Sequence, residues 1–69
     1  MKIIGYATAS KNGFERQTSE VEWRKHMKEL HQLKVPFTPR VLVEGIPGEK
    51  EAKWMDSNQY NRIIKKGGN

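Results

Sequence analysis

Cysteine is missing altogether from this chain of 69 residues. Its absence excludes a disulfide framework and a thiolate metal site, and it fits a reducing compartment. Aspartate occurs once, as Asp56, and histidine twice, as His26 and His31. With so few ligating side chains a closed zinc site is not expected. On a helix, moreover, these two imidazoles point about 140° away from each other. Long apolar runs are also lacking. Nothing approaches the roughly 20 residues that span a bilayer, and the opening MKIIGYATAS is too short in its apolar part for a secretory segment. Repeats, low-complexity stretches and an internal linker are absent too. These gaps suggest one soluble, cytoplasmic domain over residues 1–66, followed by a flexible tail, 67–69.

Basic residues are what the chain has in excess. Thirteen Lys and Arg stand against eight Asp and Glu, a formal charge of +5. That balance favours anionic partners such as nucleic acid or an acidic protein surface, and it also suffices to keep a small protein soluble. A domain this small buries only about 60% of the surface its unfolded chain exposes. Its stability is expected to be slim, and a partner or a second copy would add to it.

The patterning predicts α+β architecture in the order ββαββα. KIIGYATASK and FERQT flank Asn12-Gly13, a dipeptide favoured in two-residue hairpin turns. That register sets Lys11 opposite Phe14 and Ala9 opposite Arg16, with Tyr6 and Thr8 together on the other face. Ser19 and Glu22 then form a capping box. They open a helix whose stripe is Trp23, Met27, Leu30 and Leu33, and which ends at Val35 before Pro36. A second hairpin around IPGE pairs Val43 with Ala52 and Val41 with Trp54. Arg40, Leu42, Lys53 and Met55 fall on its other face. Asp56, with Gln59 three residues on, caps a last helix with an apolar side of Tyr60, Ile63 and Ile64, and Gly67 is placed to terminate it. The two hairpins make a four-stranded antiparallel sheet with both helices on one face. The expected core is Trp23, Leu30, Val41, Val43, Trp54 and Ile63.

Catalytic patterns are weak. Ser10 and Ser19 lack a base and an orienting group. The glutamates alternate with cations, as solvated ion pairs do. GIPGEK lacks phosphate-loop spacing and precedes a strand. The segment KIIGYATAS is similar to the first strand of serine recombinases, where a Gly-Tyr-Ala stretch leads to the nucleophilic serine, here matched by Ser10. The likeness covers only these residues, and Thr8 stands where that family carries a catalytic arginine. No enzymatic activity and no cofactor are expected.

Three basic surfaces remain. On the first helix Arg24, Lys25 and Lys28 lie with His31 away from the apolar stripe, although this placement also suits the helix dipole. On the last helix Arg62, Lys65 and Lys66 are interspersed with Asn58, Gln59 and Asn61. Such cations neutralise phosphates, and such amides bond base edges. The outer sheet face is expected to show Tyr6, Leu42 and Met55 beside Arg40 and Lys53. An aromatic there can stack a nucleobase, but a single tyrosine makes a protein interface the better reading of that face. Two functions follow from these surfaces. The first is a small non-catalytic accessory or regulatory protein that binds DNA or RNA through helix Lys and Arg. The alternative is an adaptor or inhibitor that docks a protein by its sheet face or an edge strand, or pairs as a homodimer.

Overall fold

Ser19 begins the first helix as the spacing predicts: its hydroxyl accepts the Glu22 N–H at 3.2 Å, satisfying a donor the helix itself cannot. A computed structural model describes residues 1–67, with side chains through Lys65. The elements are β1 (Lys2–Ser10), β2 (Gly13–Gln17), α1 (Glu20–Gln32), β3 (Phe37–Glu44), β4 (Lys53–Asp56) and α2 (Ser57–Gly67). The strands form one antiparallel sheet in the order β2-β1-β3-β4. The fold is therefore the α+β arrangement of two hairpins and two helices that the pattern predicts. Of the expected tail, Gly67 is the last residue of α2, and the rest lies outside the described residues. Among the described residues no helix is long and apolar enough to cross a membrane.

One face of the sheet carries both helices. Trp23 from α1 and Tyr60 from α2 close over Val41 and Val43, with Ile3, Tyr6, Met27, Ile46 and Met55 packed around them. The Trp23 indole N–H donates to the Ala7 carbonyl at 2.8 Å, and its ring lies 4.9 Å from that of Tyr6, centroid to centroid. A buried indole thus gains a partner for its single polar atom. β1 supports this core from both halves because of a bulge. Ile3 pairs with Val43 and Gly5 with Leu42, which leaves Ile4 as the extra residue. Without that insertion Ile3 and Tyr6, of opposite parity, would face opposite sides.

The registers depart from expectation in two different ways. In the first hairpin the two-residue loop is Lys11-Asn12, not Asn12-Gly13, and Ala9 stands opposite Phe14, not Arg16. The Ser10 hydroxyl accepts the Asn12 N–H at 3.2 Å, and Gly13 takes φ +111° as β2 begins. Each cross-strand partner moves by two residues, so every side chain keeps its face. In the second hairpin the partner moves by one. Met55 is opposite Val41, Trp54 opposite Leu42 and Lys53 opposite Val43. An odd shift exchanges the two faces of a strand. The IPGE turn does form, with Glu49 N–H bonded to the Ile46 carbonyl at 3.0 Å, but it sits inside a longer loop. Trp54 consequently leaves the predicted core for the open face, and Met55 enters it.

The expected apolar faces are also corrected at the helix ends, and with them the core position of Ile63. Leu33 is 73% exposed, because it caps α1 after the last helical residue. Ile63 and Ile64 are 40% and 43% exposed. Tyr60 anchors the start of α2 in the core, whereas the residues beyond it find too little sheet beneath them to be covered.

Candidate nucleic-acid interface

β4 runs into α2 without a loop, and Asp56 makes the junction. Its carboxylate accepts the Asn58 N–H at 2.8 Å, a side-chain cap on the helix. This fixes the rotation of α2. Tyr60 turns to the core, while Asn58, Gln59, Asn61, Arg62 and Lys65 line a shallow groove together with Asp56. Arg62 and Lys65 are exposed. Among the described residues neither forms an ion pair. The groove thus holds two exposed cations, three amides and one carboxylate that is already engaged by backbone. The side chain of Lys66, expected with them, lies outside the described residues.

The cations of α1 divide. Arg24 is held by Glu20 one turn earlier, its Nη2 and Nε at 2.9 and 3.3 Å from the same carboxylate oxygen. Lys25 and Lys28 are exposed and form no ion pair among the described residues. His26 is half-buried, and its Nε2 stands 3.2 Å from Glu15 Oε2 of β2. It joins helix to sheet instead of belonging to the cationic surface. His31 is exposed near the end of α1, beside Lys34. Among the described residues no three of His, Cys, Asp and Glu come together.

A cleft of about 250 Å³ separates the two helices, walled by Tyr6, Trp23, Met27 and Tyr60 and rimmed by Glu20, Arg24 and Asn61. Burial raises the Tyr6 phenol above its ordinary pKa. The Glu20 carboxylate adds to this, Arg24 opposes it and Tyr60 adds a smaller push. Tyr6 faces this cleft, and the one-residue shift of β4 turns Met55 and Lys53 to the same side, so all three leave the sheet face on which they were expected. The first two pack on the core. Lys53, on the same side by register, pairs with Glu49 at 3.0 Å.

Arg40 and Leu42 do lie on the open face, in different company. Trp54 stretches from β4 across β3 until its ring stands 3.4 Å from where a Gly5 side chain would begin. There it meets Phe14 edge-on, centroids 5.0 Å apart. The Arg16 guanidinium carbon sits 5.5 Å from the Trp54 ring centroid, within reach of a cation–π attraction. Ala7 is fully buried on the face the helices do not cover, so the side chains of this layer must roof it. Phe14 remains 49% exposed. The aromatic cluster escapes a sequence reading because its members come from strands that are not neighbours. The glycine in β1, opposite an apolar residue of β3, was the available signal. Ser10, the residue of the recombinase likeness, serves the first turn.

In comparisons with known proteins, no family model matches this chain, and no curated protein or solved structure matches it either.

Proposed function

We propose that this chain is a small, non-catalytic accessory or regulatory protein of the cytoplasm that binds nucleic acid, contacting phosphates through lysine and arginine on its helices. The observation that carries this reading is the groove on α2. Its two exposed cations, Arg62 and Lys65, have no internal partner among the described residues. They stand beside amides suited to base edges. A fixed cation already paired with a carboxylate, such as Arg24, releases less on meeting a phosphate; Lys25 and Lys28 are the better contributors from α1. DNA and RNA both satisfy this chemistry.

Binding of this kind weakens with salt by about 0.9 logarithmic unit per unit of log salt for each duplex phosphate neutralised. The test is a salt series on wild type and on the Arg62→Ala, Lys65→Ala, Lys66→Ala variant. A flatter slope in the variant is expected. An unchanged affinity and slope would reject α2 as the site. The second reading, a protein-interaction module, draws on the exposure of Ile63 and Ile64, since apolar side chains of this size at a helix surface suit a docking partner or a second copy. No retention on heparin together with a dimer mass in sedimentation would favour it over the first.

A further inference from the structure

We infer that the open face of the sheet is a stacking platform for the unpaired bases of a single-stranded nucleic acid. The inference rests on the nucleic-acid reading of α2 and specifies the form of the ligand. Two aromatic rings meet on this face, Trp54 and Phe14, where the sequence offered one tyrosine. Phe14 is half exposed. Stacking of bases on such rings is tolerant of sequence, because every base has a π-face.

Charge selects the occupant. Arg16 lies over Trp54, and Arg40 faces the same way, opposite Ala7 in the register. The acidic neighbours are diverted: Glu15 turns to His26 on the helix side, and Asp56 caps α2. An apolar partner surface gains nothing from two arginines, and a second copy of this face would bring like charges together. A single strand supplies both complements, flat bases and an anionic backbone. The platform is also continuous with the α2 groove, because Asp56 lines that groove and stands opposite Arg40 in the sheet. A strand lying along α2 therefore meets the β4 edge of the sheet beside Arg40, and from that edge the Trp54 ring extends inward toward Phe14. Duplex, with its bases stacked on each other, offers the platform nothing.

The test compares a short oligothymidine, about 12 nucleotides long to match the usual site size, with a duplex of the same length. Phe14→Ala is expected to weaken single-strand binding about 5- to 50-fold and to leave duplex binding unchanged, while Phe14→Tyr retains it. Arg62→Ala with Lys65→Ala is expected to weaken both ligands. Thermal unfolding of each variant controls for loss of fold, and Arg16→Gln provides a second probe of the same surface. Single-strand binding that survives both Phe14→Ala and Arg16→Gln but falls with the α2 variant overturns the platform and spares the α2 site. Equal weakening of both ligands by Phe14→Ala also overturns it, as does a wild-type dimer that Phe14→Ala dissociates. Wild type that holds neither ligand at low salt sinks the nucleic-acid reading itself.

Discussion

Gly5 illustrates how one missing side chain sets a surface. It follows the bulged Ile4, so it faces away from the helices, opposite Leu42. A Cβ there would stand 3.1 Å from Leu42 Cβ and 3.4 Å from the Trp54 ring. The first of these atoms belongs to a strand and yields little. In an ordinary strand, replacing glycine with alanine removes an entropic cost and adds stability. Here Gly5→Ala is expected to destabilise the protein by about 1–3 kcal/mol through overpacking, and to shift the emission of Trp54 as its ring is displaced. Denaturant titration followed by fluorescence measures both. A variant as stable as wild type, with unaltered emission, would show that the ring is not seated there.

Helix α1 closes with a complete Schellman arrangement. The Val35 N–H bonds the Leu30 carbonyl at 2.9 Å and the Lys34 N–H bonds the His31 carbonyl at 3.1 Å. Lys34 takes the left-handed conformation at the cap, with φ +57°, a position usually held by glycine. Left-handed backbone costs a residue bearing a Cβ roughly 1–2 kcal/mol. Lys34→Gly is therefore expected to raise stability by about 1 kcal/mol, read as a higher denaturation midpoint with an unchanged slope. A lowered midpoint would mean that the lysine stem contributes packing that outweighs the strain. The sequence placed the helix end at Val35-Pro36, which is close. It did not show that a lysine would carry the turn, because nothing local distinguishes Lys34 from its neighbours.

The whole domain meets at Tyr6, where β1, α1 and α2 converge. Its raised pKa, caused first by burial and then by Glu20, ties global stability to alkaline pH. The folded state holds the phenol proton more tightly than the unfolded chain does. The associated stability is fully present below the unfolded value, about 10, and is lost as pH rises through the higher folded value. Wild type should thus lose stability on alkalisation more steeply than Tyr6→Phe, measured as the difference in unfolding midpoint across that range. Parallel profiles would dismiss the coupling.

Sequence by itself determined the elements and their order. Ser19 and Asp56 mark helix starts, Pro36 follows a stop, and the alternation about Val41 and Val43 marks a half-buried strand; each signal acts within a few residues. Part of the α2 surface was legible for the same reason, since an amphipathic period places Arg62 and Lys65 opposite Tyr60. Only tertiary structure decided which face of β4 looks inward. Val41 and Val43 are committed to the core by pairing with β1, Asp56 is committed to the cap of α2, and Gly5 leaves room for an indole two strands away. Those constraints shift the hairpin by one residue and exchange Trp54 for Met55. A register obeys distant contacts as well as its own turn, and a shift of a single residue reverses every side chain on the strand.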